Sequence, residues 1–133
     1  MLKPILIALS LLIALAAAPA SASEPVSVAT ADVNLRAGPG TQYPIVTTIP
    51  YGSSVSLYGC TAGVTWCDVG WAGERGWVAA TYLQAVYAGT PVVVNAVVAP
   101  RLGIRVVAFN HAYWVRHYST FPWYRRWSIY VSP

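Results

Sequence analysis

Apolar and polar positions follow three different rhythms along this chain. Ile5 to Ala18 is a continuous apolar run broken only by Ser10. From Val28 to Leu83 short β-type runs succeed one another between turn residues. Near residue 114 the spacing becomes helical. The first run has Lys3 in front of it, Pro19 behind it and the small-x-small sequence Ala20-Ser21-Ala22 after that. This is the three-part layout of a secretory signal, with an apolar stretch short for a bilayer span. It predicts a signal peptide over 1–22, cleavage near Ala22, a short linker over 23–27 and an exported protein, periplasmic or secreted. No cysteine follows the apolar run, so an acylated lipoprotein is not expected.

The middle of the chain predicts strands. Val28 to Leu35 is the first candidate, and Arg36-Ala37-Gly38-Pro39-Gly40 ends it, because Gly admits unusual backbone angles and Pro lacks an amide donor. Pro44 to Ile49 is the second. Pro50-Tyr51-Gly52 then turns the chain into Ser54 to Cys60, where Val55 and Leu57 alternate with Ser54, Ser56 and Tyr58. Thr65 to Trp71 returns antiparallel, Arg75 to Val78 is a last short strand, and Ala79 to Leu83 reads as a single helical turn. Short strands punctuated by turns predict an all-β fold, a small barrel or sandwich, over residues 28–84.

Gly63-Val64 fits the two-residue loop of a type II′ hairpin, which wants Gly first. Such a loop sets Cys60 opposite Cys67, within the Cα separation a disulfide needs. The same register puts Val55 and Leu57 on the opposite face from Val69. A bulge at Gly59 would return all three to one core face. Two cysteines in an exported chain point to a structural bridge. Neither has a His/Asp partner nearby, and Cys-x6-Cys with two distant histidines is not a zinc spacing, so no metal site is expected.

These residues resemble a known family. Asp32-Val33-Asn34-Leu35-Arg36-Ala37-Gly38-Pro39-Gly40 is similar to the N-L-R-x-G-P opening of bacterial SH3 domains. Tyr43-Pro44-Ile45-Val46 with Pro50-Tyr51-Gly52 resembles that family's second strand and turn. Trp66-Cys67-Asp68-Val69 matches its W-x-x-V strand, and Gly76-Trp77-Val78 with Tyr82-Leu83 its G-W-V-x-x-x-Y-L ending. The resemblance runs from about Val28 to Gln84. It implies a five-stranded SH3-like barrel and a binding role, in bacteria often toward the peptide stems of cell-wall peptidoglycan.

Within that frame Gly38, Pro39, Gly52 and Gly76 serve backbone shape, and Leu35, Val55, Leu57, Val69 and Val78 are core. Tyr43, Tyr51, Trp66, Trp71, Trp77 and Tyr82 are candidates for a ligand groove, because aromatic rings combine a large apolar face with a polar tip. Packing is the competing fate of each. Arg36 joins them as a fork for a ligand carboxylate, or else as a partner of Asp32 or Asp68.

Charge divides the chain near residue 85. Ser23 to Gln84 holds four acids and two arginines, whereas the extension over 85–133 holds five arginines and no acid. In it, Pro91 to Asn95 and Ile104 to Phe109 predict an extra hairpin. Asn110 reads as the N-cap of a short helix. Trp114, His117, Tyr118 and Phe121 would form one aromatic face, and Pro122 would end it. That stripe either packs on the barrel or joins Arg116, Trp123, Tyr124, Arg125, Arg126 and Trp127 in an interface for a partner or an anionic membrane surface. The segment from Tyr113-Trp114 to Pro122-Trp123-Tyr124 resembles an aromatic tail on some small secreted SH3-type proteins.

No paired carboxylates, Ser/His/Asp set or phosphate loop can be assembled, so no enzyme and no cofactor are expected. The basic set is small for nucleic acid. The expected function is therefore a non-catalytic binding module for peptidoglycan or an envelope protein. The competing expectation is an envelope interaction protein that works through its tail.

Overall fold

The structure, a computed structural model, describes residues 26–133. The signal peptide, its cleavage site and residues 23–25 of the linker lie outside the described residues. Eight strands form one antiparallel sheet: β1 Val26–Ala29, β2 Val33–Arg36, β3 Ile45–Ile49, β4 Ser54–Cys60, β5 Trp66–Trp71, β6 Glu74–Ala79, β7 Leu83–Tyr87 and β8 Thr90–Val93. Their order across the sheet is β3-β2-β6-β5-β4-β1-β7-β8. A single helical turn over Ala80–Tyr82 joins β6 to β7, and one helix, α1, covers His111–Tyr118. The architecture is SH3-like, but the outermost strands β3 and β8 do not pair, so the five-stranded closed barrel is corrected to an open eight-stranded sheet.

The expected first strand is two strands. The chain turns a corner at Thr30–Asp32, where Gly52 N–H donates to the Ala29 carbonyl at 2.8 Å and Tyr51 N–H to the Asp32 carboxylate at 2.8 Å. Before the corner β1 lies between β4 and β7; after it β2 lies between β3 and β6. Alternation holds on both sides, with Ala29, Val33 and Leu35 buried. Gly76 allows the approach of β2 to β6, since a Cβ there would meet the Arg36 carbonyl oxygen at 2.4 Å.

The β4–β5 hairpin has the expected register. Leu57 opposes Val69, Cys60 opposes Cys67, and the register shifts between Leu57 and Gly59. The bulge brings Val55, Leu57 and Val69 into one core with Leu35 and Val78, all five buried. The loop tip differs from a two-residue II′ turn. Thr61 N–H donates to the Trp66 carbonyl, and Val64 N–H to that of Thr61, so the loop is wider. Gly63 takes φ 78° at its second central position, and Val64 takes φ 54°.

Cys60 and Cys67 are bonded and fully buried. Cys60 also carries the extension: its N–H donates to the Arg105 carbonyl and its carbonyl accepts from Val107 N–H, each at 2.8 Å. Closing this short loop contributes about 2.5 kcal/mol in the chain-entropy account. Reduction of the folded protein is therefore expected to lower its urea midpoint by about that much stability. An unchanged midpoint after complete thiol labelling would contradict this.

The extra hairpin forms from other residues than expected. β7 continues past Gln84 and pairs with β8, Gln84 opposite Val93 and Tyr87 opposite Thr90. Ala88 (φ 51°) and Gly89 (φ 79°) make the tight turn between them, the type I′ geometry that twists with the strands. The Trp71-Ala72-Gly73-Glu74 turn of β5–β6 has the same form, at φ 49° and 78°. Ile104–Phe109 does not pair with this hairpin; it runs beside β4 as a single parallel bridge of Val106 to Cys60.

The extension packs. Asn110 caps α1, its side-chain oxygen accepting from Tyr113 N–H at 2.9 Å. A second core then forms from Ala37, Trp77, Trp114, Tyr118, Trp123 and Val131. It is mostly aromatic: Trp77 meets Phe109 edge-on at 5.5 Å, and Trp114 meets Trp123 at 5.4 Å. An isolated two-turn helix is unstable in water, so this face supplies its stability.

Candidate binding surfaces

The seven groove candidates separate. Arg36, Trp66 and Tyr82 share the wall of a groove of about 400 Å³ with Asp32, Asn34 and Thr81. Its floor comes from β2 and its sides from the start of β5 and the turn after β6. Trp71 lines a different cleft, described below. Tyr51 stands 73% exposed on a turn and lines neither. Tyr43 is half-buried, its ring packed edge-on against Phe109 at 5.6 Å. Trp77 is corrected from groove to core: it is 0% exposed, because Phe109 and Tyr113 of the extension cover it.

Arg36 answers to neither of its two expected partners within the domain. Its guanidinium donates to the backbone carbonyls of Thr41 (3.0 Å) and Tyr43 (2.9 Å), pinning the loop between β2 and β3. This clamp holds the guanidinium in the groove wall through one nitrogen, and its other N–H groups have no protein partner among the described residues. Asp32, which accepts from Tyr51 N–H, supplies the facing acid.

The tail candidates also divide. Trp114, Tyr118 and Trp123 are buried and form the second core, so the structure corrects their place in a surface interface. Tyr124 and Trp127 are half-buried against the same core, Tyr124 stacked on Trp114 at 5.7 Å. Arg116, Arg125 and Arg126 remain exposed.

Sequence reasoning missed the polar node beneath this aromatic layer. Asp68 is fully buried and receives Arg75 as a fork, at 2.9 Å from Nη2 and 3.2 Å from Nε. Tyr113 Oη donates to the same carboxylate at 2.5 Å, joining helix to sheet. The Arg75 guanidinium also lies 4.0 Å from the Tyr58 ring centre and 5.5 Å from that of Tyr118. Burial alone would lower the Arg75 pKa; the hydrogen bond and charge of Asp68 outweigh it and raise it. Burial, then the Asp68 charge, pushes the Tyr113 and Tyr118 hydroxyls above their ordinary range, so both stay protonated at neutral pH. Burial, then the Arg75 charge, lowers the pKa of His117, which is neutral at pH 7. The available signal was Asp68 facing inward on a strand with an arginine seven residues on; the helix that completes the set lies 45 residues away.

The second cleft, of about 610 Å³, is lined by the β5–β6 hairpin, by Val26 of β1 and Ser54 to Ser56 of β4, and by His117, Thr120 and Phe121 at and just past the end of α1. Its walls include Trp71, Tyr58, Glu74, Arg75, His117 and Phe121. The extension supplies three of its lining residues, His117, Thr120 and Phe121.

Fold and motifs together define a small SH3-like module with a docked aromatic extension. Residues 31–84 match the model of the bacterial SH3 domain family. Two proteins of Bacillus subtilis (strain 168) are similar. Uncharacterized protein YraJ is 39% identical over 70 residues, covering 45% of this chain and 59% of YraJ. Uncharacterized protein YraI is 51% identical over 35 residues, covering 26% of this chain and 29% of YraI. The chain thus spans less than two thirds of the length of either relative.

Proposed function

We propose that this protein is an exported, non-catalytic binding module whose SH3 domain takes peptide stems of peptidoglycan, or an envelope protein, in the groove of Arg36, Trp66 and Tyr82. The observation that carries this reading is the convergence of a clamped guanidinium, two aromatic faces and a facing carboxylate in one groove. Arg36 suits a peptide carboxylate, Asp32 a donor from the same peptide, and the rings its aliphatic parts. Export is supported by the signal-like segment, by the buried disulfide and by the family itself. No helix among the described residues is long and apolar enough to cross a membrane. The tail reading loses its aromatic half, because Trp114, Tyr118 and Trp123 face inward.

The test is sedimentation of the oxidised protein with purified sacculi. Tyr82, 46% exposed in the groove, and Tyr51, exposed outside it, allow a matched pair of truncations. Tyr82→Ala should weaken binding about fivefold or more, as for an aromatic contact at an interface centre. Tyr51→Ala should bind as the parent does. No saturable binding by the folded protein would remove the peptidoglycan reading, and equal losses in both variants would move the site out of the groove.

A further inference from the structure

The cleft between the β5–β6 hairpin and α1 is independent of the groove, and its lining has a definite charge balance. Arg75 would make it cationic, but its charge is met by Asp68 at 2.9 Å directly behind the wall. Burial, then the Arg75 charge, lowers the His117 pKa, which favours its neutral form. Glu74 is then left as the uncompensated charge of the lining, its carboxylate in no ion pair and accepting no hydrogen bond among the described residues.

Glu74 is also placed rigidly. It is the register partner of Trp71 across the tight Ala72-Gly73 turn, so carboxylate and indole project from the same face of the hairpin. Both are half-buried. The other wall holds His117, in the last turn of α1, and Phe121, three residues beyond the helix end. The carbonyls of that last turn carry partial negative charge, and the one full positive charge in that turn, Arg116, is exposed and outside the lining. An aromatic wall, one free carboxylate and a helix C-terminus all favour a cation, and the apolar faces of Trp71 and Phe121 favour a hydrocarbon attached to it.

We propose that this cleft is a second binding site, taking a primary ammonium group carried on a short aliphatic stem, with Glu74 receiving the ammonium and Trp71 and Phe121 flanking the stem. The site is composite: the SH3 domain supplies the hairpin and the extension supplies the facing wall. The extension thereby builds a site that residues 31–84 alone do not have.

The probes are Nα-acetyl-lysine amide, 1,5-diaminopentane, alanine amide and the uncharged Nα-acetyl-norleucine amide, titrated into the oxidised full-length protein. The readout is the indole Nε1–H resonance of Trp71 in nitrogen–proton correlation spectra. Nα-acetyl-lysine amide (hereafter lysine amide) and diaminopentane should produce saturable shifts, and Nα-acetyl-norleucine amide (hereafter norleucine amide) none. Glu74→Gln, which keeps the side chain's shape, should weaken lysine-amide binding about tenfold, the order expected for losing a hydrogen bond to a charged group. Tyr82→Ala should leave it unchanged, which separates this site from the groove. The proposal is overturned if norleucine amide shifts the resonance equally, if Glu74→Gln binds as well as the parent, or if no probe saturates. Alanine amide bearing its ammonium directly on the backbone should bind weakly; binding as tight as lysine amide would overturn the stem requirement and assign the site to peptide N-termini.

Discussion

Trp114→Ala should cost about 3–5 kcal/mol, the range for deleting a fully buried Trp, and should do so although the residue lies 30 positions beyond the end of the SH3 match. Trp114 is fully buried, with ring centres of Phe109, Tyr118, Trp123 and Tyr124 at 6.2, 5.3, 5.4 and 5.7 Å. These neighbours are themselves large and wedged against one another, so the space left by the indole cannot close cheaply. Two outcomes of the mutation are physically distinct. If α1 stays docked, the whole loss appears in one cooperative urea transition. If α1 lets go, Trp77 loses its cover, and amide exchange in α1 and around Trp77 should accelerate together. A loss below about 1 kcal/mol with neither change would mean that the aromatic layer is not a second core. For the same reason a chain ended after Gln84 should be a poor domain. It loses Ala85–Tyr87 from β7 and uncovers Trp77, so binding lost on that truncation would not by itself locate a site in the tail.

Asp68→Ala should lower stability by about 3 kcal/mol, the lower end of the range for breaking a buried ion pair from one side. The lower end is appropriate because the Arg75 side chain retains 16% exposure and its contact with Tyr58. For a domain of this size that corresponds to a fall of roughly 12–20 °C in the thermal midpoint. The variant strands the Arg75 guanidinium over Tyr58 and leaves the Tyr113 hydroxyl without its acceptor. Replacing both charged partners, Asp68→Leu with Arg75→Met, should cost less than Asp68→Ala alone, since no unpaired charge remains. A double variant worse than the single one would show that the ion pair itself, rather than the avoidance of an orphaned charge, holds helix to sheet.

The SH3 half was largely legible because its signals are local. Alternation placed β4, turn chemistry separated the strands, and the mismatch of Val55 and Leu57 with Val69 pointed to the bulge that Gly59 provides. Gly59 had a further role that alternation does not carry: a Cβ there would meet the Val107 side chain at 2.7 Å. The split of β1 from β2 was not legible, because Val28 to Leu35 reads as one β-type run. The corner is set by Tyr51 and Gly52, twenty residues on. The β7–β8 turn was legible in principle, since Tyr87-Ala88-Gly89-Thr90 repeats the pattern of Trp71-Ala72-Gly73-Glu74. Taken alone, Pro91 to Asn95 reads as the partner of Ile104 to Phe109, whereas β8 pairs with β7.

The sequence by itself determined the strands over 33–78, their one-sided core, the Cys60–Cys67 pairing, the cap at Asn110 and the Trp114–Tyr118 part of the aromatic face of α1, which ends at Tyr118 before reaching Phe121. Each depends on residue spacing within one element or one hairpin. Only the tertiary structure decided that the aromatic face closes over Trp77, that Asp68 joins Arg75 to Tyr113, and that Trp71 and Glu74 look across a cleft at α1. An aromatic stripe has the same spacing whether it meets its own domain or a partner. Which of the two it meets depends on whether a matching apolar surface waits within reach of the chain, and here Trp77 and Ala37 of the sheet provide it.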